Sequence, residues 1–292
     1  SAAAFTNLSR DHLDYHGTME HYFAAKSRLF HEVLADGGAA WINADDAYGQ
    51  QLLASPSPRG QRLYSYGQQG RDITLVERVA LPHGQRAKLR YDGNEYDVQI
   101  SLIGDFQLYN IMAAMGLALS HGANFVNLVA VLPRLSGVRG RLELAGRTEL
   151  GAAVYVDYAH TPDALALVLR ALRPHTSGRL YVVFGCGGDR DTGKRAEMGR
   201  VASAFADQVI VTDDNPRSED PASIRRAIMQ ETPGAVEIAD RREAVRIAVR
   251  DLQQGDVLLI AGKGHESGQI LRDRIVPYTD HEAVDAALKD KV

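Results

Sequence analysis

Val154-Tyr155-Val156-Asp157-Tyr158-Ala159-His160-Thr161-Pro162-Asp163 is the stretch that decides the fold. An apolar, β-branched run suited to a buried strand ends on a polar turn. The turn closes on threonine, proline and an acid, which are the N-cap, first-turn and dipole signals of a helix start. The same phrase returns three times downstream. Leu180–Phe184 runs into Gly185-Cys186-Gly187-Gly188-Asp189-Arg190-Asp191, and Gln208–Thr212 into Asp213-Asp214-Asn215-Pro216-Arg217. Val257–Ala261 runs into Gly262-Lys263-Gly264-His265-Glu266. Short apolar runs alternating with amphipathic helices predict an α/β domain with a mainly parallel, Rossmann-like sheet. In such a sheet ligands bind outside the carboxyl ends of the strands, so all four loops are expected on one edge.

Taken singly, each loop has a structural explanation. The helix start accounts for Thr161 and Pro162, and leaves Asp157 and His160 free to face a ligand. Gly262 and Gly264 permit a sharp turn, and Arg217 alone would be one more surface arginine. Four polar or glycine-rich loops on one edge are not explained by turn chemistry. Gly188 to Lys194 spells G-x-x-x-x-G-K after a strand, the pattern of a phosphate loop. Arg195 stands where that loop needs a hydroxyl, and Arg190 and Asp191 occupy the turn that should wrap phosphate. The match is a decoy.

Upstream the texture differs. Met19, Tyr22, Phe23, Leu29, Phe30 and Val33 recur at helical spacing from Thr18 to Leu34 and predict one buried face. Lys26 falls inside that apolar stripe, as a snorkelling lysine or as one with a depressed pKa that can form a carbamate, an oxygen ligand suited to Mg²⁺. A strand is expected at Ala39–Ile42, a small β-meander from about Leu63 to Ser101 turning at Asp92-Gly93, and helices at Phe106–His121 and Asn127–Leu135. The change of texture puts a domain boundary near Glu143 to Gly151, giving domains 1–143 and 144–292.

The chain has 292 residues, comfortable for two domains. Its net charge of −4 argues against a nucleic-acid partner. No apolar run reaches the ~20 residues of a membrane span. One cysteine, Cys186, rules out an internal disulfide and suits a reducing, cytoplasmic setting. The start at Ser1 lacks signal-peptide character and reads as a chain beginning inside a domain.

In order, the chain carries FTNLSRDHLDYHG, HYFAAK, NADD, GRLE, VDYAHTPDAL, FGCGGDRDTGKR, DDNPR and GKGHE. With these segments it resembles the Mur ligases, within them the branch that adds meso-diaminopimelate to UDP-MurNAc-L-Ala-D-Glu. The resemblance runs from Phe5 almost to the C-terminus. It implies part of a central ATPase domain followed by a Rossmann-like amino-acid-binding domain, and ATP-dependent amide-bond formation through an acyl phosphate. It also implies roles. His12 and carbamylated Lys26 help hold magnesium. Asn110, Arg141, Asp157 and His160 serve the nucleotide. Arg190, Asp214, Asn215, Pro216, Arg217, Gly262 and Glu266 form the diaminopimelate pocket. The family's own phosphate loop would lie upstream of these residues, so the 292-residue chain is expected to be inactive by itself. A stand-alone phosphate-loop NTPase, an amino-acid-binding module and a folylpolyglutamate-type sibling are the alternatives.

Overall fold

The computed structural model describes residues 1–9, 13–55, 59–81 and 84–290. It divides into two compact units, Ser1–Ser136 and Gly137–Val292. The division falls after Ser136 rather than after residue 143, because Gly140 and Leu142 are bound into the second unit (below).

In the first unit, β1 (Ala2–Phe5), β2 (Ala39–Asn43) and β3 (Arg62–Gly67) pair in parallel. β4 (Ile73–Leu81) joins β3 in parallel over only two residue pairs. β5 (Gly84–Tyr91) and β6 (Asn94–Ile100) complete an antiparallel meander with β4. The expected meander therefore starts at Ile73, and the run from Leu63 belongs to the parallel half. Local alternation could not separate the two, since both kinds of strand repeat every two residues.

Alternate residues of β2 serve opposite cores. Ala39 and Trp41 join Leu108, Met112 and Phe125 of α4 (Asp105–Leu119) and α5 (Phe125–Val131). Ala40 and Ile42 join Tyr22 and Phe30 on the other side. A Cβ on Gly116 would lie 2.2 Å from the Trp41 indole, so only glycine lets α4 seat there. The first of the helices, α1 (Leu13–His16), leads into α2 (Met19–Arg28), capped by Thr18. α2 passes directly into a π-helical turn, Leu29–Val33. That turn adds one residue to the local period and rotates the buried stripe. Phe30 and Leu34 point inward, while Leu29 and Val33 are exposed, against the expectation of one continuous face. The unit is completed by α3 (Ala47–Ala54), which Asp46 caps through the N–H groups of Tyr48 and Gly49.

The second unit is the predicted open sheet. Its order is β11-β10-β9-β12-β8-β7, with β7 (Glu143–Arg147) antiparallel and the rest parallel. The parallel strands are β8 (Ala153–Asp157), β9 (Leu180–Phe184), β10 (Gln208–Val211), β11 (Val236–Glu237) and β12 (Val257–Ala261). The connections run through α6 (Pro162–Leu172), α7 (Lys194–Phe205), α8 (Pro221–Met229) and α9 (Arg241–Asp251). A hairpin, β13 (Gly268–Ile270) and β14 (Ile275–Pro277), precedes α10 (Asp280–Lys289). Val154, Val156, Val183, Leu258 and Ile260 share a core with Ala244, Val245 and Val284 of α9 and α10. The intervening Tyr155, Val182 and Leu259 are buried as well, as expected of strands covered on both faces. Beneath this core Arg241 and Asp280 form a fully buried ion pair at 2.8 Å. No helix among the described residues is long and apolar enough to cross a membrane.

Candidate active site

All four loops leave the carboxyl edge of the second unit's sheet and are bonded to one another. Asp157 ends β8, where it is buried. Its carboxylate accepts from the backbone N–H groups of Ala159 and Leu142, both at 2.6 Å. Burial pushes its pKa up, against the opposing pull of these two donors and of Arg141. Asp157 is therefore not the free ligand-facing acid that the helix-start reading left it as. It anchors the segment that enters the domain. That segment is pinned twice more: Gly140 donates to Glu143 at 2.7 Å, and a Cβ on Gly140 would fall 2.3 Å from the Gly264 backbone.

Tyr158 is a platform that the sequence reading did not single out. The Arg141 guanidinium lies 4.8 Å from its ring centroid, and the rings of His160 and His265 stand at 4.7 and 5.3 Å. Arg141 and His160 are thus brought together. The His160 carbonyl accepts from the Lys194 ammonium at 3.0 Å.

The decoy phosphate loop is committed elsewhere. Besides Lys194, Arg195 is buried and grips the Glu219 carboxylate through both oxygens, at 2.8 and 2.9 Å. Glu219 also accepts from the Asp189 N–H at 2.6 Å, and Asp189 accepts from the Ser218 hydroxyl at 2.6 Å. These bonds, with the Arg195 guanidinium foremost at Glu219, hold both acids below the usual carboxylate range; at Asp189 the Ser218 hydroxyl contributes most. The loops after β9 and β10 are therefore one stapled body.

Arg217 sits within that body. Its Nη1 donates to the Gly188 carbonyl at 2.8 Å and to the Asn215 carbonyl at 3.5 Å. Its φ of 52° is left-handed, a conformation that costs a non-glycine residue about 1–2 kcal/mol and recurs at functional sites. The Cβ that Gly187 lacks would lie 2.6 Å from the Arg217 guanidinium. Arg190 is exposed, with its guanidinium on the Asp189 carbonyl at 3.3 Å. Asp214, Asn215 and Pro216 are buried.

Asn215 connects Arg217 to the last loop. Its amide donates to Glu266 Oε2 at 2.9 Å, and its Oδ1 accepts from Lys263 Nζ and from the Ile270 N–H, each at 2.9 Å. Gly262 has φ 112°, and an added Cβ would stand 2.6 Å from Asp214 Oδ2. Arg217, Asn215 and Glu266 are thus assembled in one place, next to Asp214 and Gly262. Such a surface offers a guanidinium fork to a carboxylate and a carboxylate to an ammonium. Lys263, Tyr158, His265, Arg195 and Glu219 were not singled out as site residues from sequence. A lysine set between two glycines at a strand end was the available signal for Lys263.

The remaining expected residues lie in the first unit. Asn110 is exposed on α4. Lys26 is exposed rather than set in the apolar stripe, its Nζ 5.3 Å from the Tyr22 ring centroid. The helix turns that position outward between buried Tyr22 and Ser27. His12 lies outside the described residues. Among the described residues no three His, Cys, Asp or Glu side chains group to hold a metal, and Lys26 as an ammonium is no ligand.

The Mur ligase middle domain matches residues 1–118, and the Mur ligase glutamate ligase domain matches residues 140–264. A protein of a Chelativorans species named UDP-N-acetylmuramoyl-L-alanyl-D-glutamate–2,6-diaminopimelate ligase is 52% identical over all of this chain. Its namesake from Agrobacterium fabrum is 50% identical over 99% of it. The chain spans about 60% of the length of these relatives. A solved structure of a ligase of the same name is 38% identical, with a TM-score of 0.67, covering 98% of this chain and 60% of that one. Two successive family domains, in the family's order and over most of the sequence, lead to one assignment: the chain belongs to the Mur ligase family.

Proposed function

We propose that this chain is the amino-acid-selecting part of an ATP-dependent ligase that joins meso-diaminopimelate to UDP-MurNAc-L-Ala-D-Glu in cytoplasmic peptidoglycan synthesis. A carboxylate oxygen of the glutamate attacks the γ-phosphorus of ATP and ADP leaves. The amine of the incoming amino acid then attacks the acyl carbon. The C–O bond to phosphate breaks, the amide forms, and the ammonium proton is lost to solvent. In this reading Arg217 clamps the carboxylate at the far end of the amino acid and Glu266 accepts from its far ammonium. Asp214, Asn215, Pro216 and Gly262 shape the same seat, and Arg190 stands at its exposed side. Arg141, Asp157 and His160 are the second unit's candidates for the nucleotide, Asp157 through the backbone it anchors. Magnesium belongs to the same reading as the counter-ion of ATP, with His12 and carbamylated Lys26 helping to hold it. Its support is the family resemblance alone.

The observation that carries the reading is that Arg217 and Glu266 both touch Asn215, Arg217 at its backbone carbonyl and Glu266 at its side-chain amide. Lysine lacks the far carboxylate and would leave the guanidinium without an anionic partner there, a loss on the order of 1–3 kcal/mol. In the complete ligase, Arg217→Ala is expected to raise KM for diaminopimelate about tenfold or more, with KM for ATP within about twofold. Equal changes in the two constants would refute the assignment.

A further inference from the structure

Lys263 is a cation shut away from solvent behind the pocket. Its side chain is 0% exposed, whereas that of Glu266 is 33% exposed. The ammonium lies 3.2 Å from Glu266 Oε2 and 2.9 Å from Asn215 Oδ1. An ammonium taken out of water is expensive unless it is paired and hydrogen-bonded, and both conditions are met here. The carboxylate that faces the pocket is therefore backed by a fixed positive charge on its buried side.

The pairing changes what Glu266 can select. With Lys263 beneath it, the Glu266 charge is largely neutralised from inside, and Arg217 adds a further positive charge across Asn215. A ligand end that is itself neutral overall, an ammonium beside a carboxylate, suits this balance: its carboxylate meets Arg217 and its ammonium still finds an acceptor in Glu266. A ligand end that is a lone ammonium adds net positive charge to a site whose cations, Lys263 and Arg217, are already matched by the carboxylates of Glu266 and Asp214. In a partly desolvated site that imbalance is penalised more than in water.

We infer that Lys263 is a specificity-determining, positioning residue: it restrains Glu266 electrostatically so that the pocket accepts a zwitterionic chain end and rejects a bare amine. The inference rests on the proposed amino-acid seat and deepens it. Discrimination then has two sources, an attractive one at Arg217 and a repulsive one at Lys263. Lys263 also fixes the orientation of Asn215, since an oxygen that accepts from Lys263 and from Ile270 forces the amide nitrogen toward Glu266.

The test is kinetic and uses the complete ligase with meso-diaminopimelate and with lysine as competing amino acids. Lys263→Met is expected to lower the ratio of kcat/KM values, diaminopimelate over lysine, by about tenfold or more, with lysine turnover rising in absolute terms. KM for ATP should stay within about twofold. Damage to the fold would depress both amino acids together, so a fall in both at an unchanged ratio overturns the inference. Lys263→Gln keeps a donor for Asn215 and removes only the charge. It carries the same expectation, and it decides the matter where the methionine variant does not fold. An unchanged ratio in Lys263→Gln likewise overturns the inference while leaving the pocket assignment intact. If the unaltered ligase shows no preference for diaminopimelate at all, the proposed function itself fails, and the inference with it.

Discussion

The side chain of Asn215 hands one hydrogen bond to Glu266 and takes one from Lys263, each at 2.9 Å. An asparagine used on both ends in this way has no spare conformation. It converts two loops more than 45 residues apart in sequence into one surface. The same economy recurs elsewhere in the second unit and sets what substitutions should do.

The side chains of Arg241 and Asp280 are each 0% exposed and joined by two hydrogen bonds, at 2.8 and 2.9 Å. Burial would lower the arginine's pKa, but Asp280 reverses the balance and holds it up. Asp280→Asn strands a buried guanidinium and should cost about 3–5 kcal/mol in urea denaturation. Replacing both partners with leucine should cost clearly less. Equal losses would show that the pair matters for shape rather than charge.

Glu219 supplies a pH dependence. Its folded pKa lies below the ordinary 4.5, with Arg195 as the first cause. A depressed carboxylate adds stability that is fully present above the unfolded pKa and disappears as pH falls through the folded value. Glu219→Gln should therefore flatten the acid limb of the stability curve below about pH 4.5 and lower stability at neutral pH. A variant whose curve runs parallel to the original through that window would rule this out.

Cys186 is buried, and burial raises its thiol pKa to about 12. It should resist alkylation by iodoacetamide at pH 8 in the native chain and react promptly in denaturant. Mass spectrometry after brief labelling reads the difference, and rapid native labelling would contradict the packing around it.

Gly140 has φ 69° and no room for a methyl group against Gly264. Gly140→Ala should destabilise the second unit by about 2–4 kcal/mol, from overpacking and left-handed strain together. Hydrogen exchange at Leu142 and Ala159, whose N–H groups Asp157 holds, is expected to speed up before the sheet core does. Uniform exchange throughout the unit would argue against a local anchor.

The second unit was legible because its signals are local. Leu180–Phe184 and Val257–Ala261 are continuous apolar runs ended by glycine, and the observed strands have those limits. Thr161 caps its helix as read, accepting from Ala164 N–H. What escaped depends on partners far along the chain. Arg241 looks like any helix-end arginine until Asp280, 39 residues away, is folded against it. Asp157 looked available because the Leu142 N–H that occupies it comes from a segment with no strand or helix signal. Lys26 was misplaced because a π-turn changes the period just beyond it, and a 3.6-residue count carried through Leu29–Val33 sends residues to the wrong side. Asn215, Arg217 and Glu266 were found as a set only through the family motifs.

β12 is the last of the parallel strands to be synthesised, yet it fills the lane between β8 and β9, which do not pair with each other. The loop it delivers carries both Lys263 and Glu266. The Lys263–Glu266 pair therefore requires the closing strand to be in its lane before it can face Asn215.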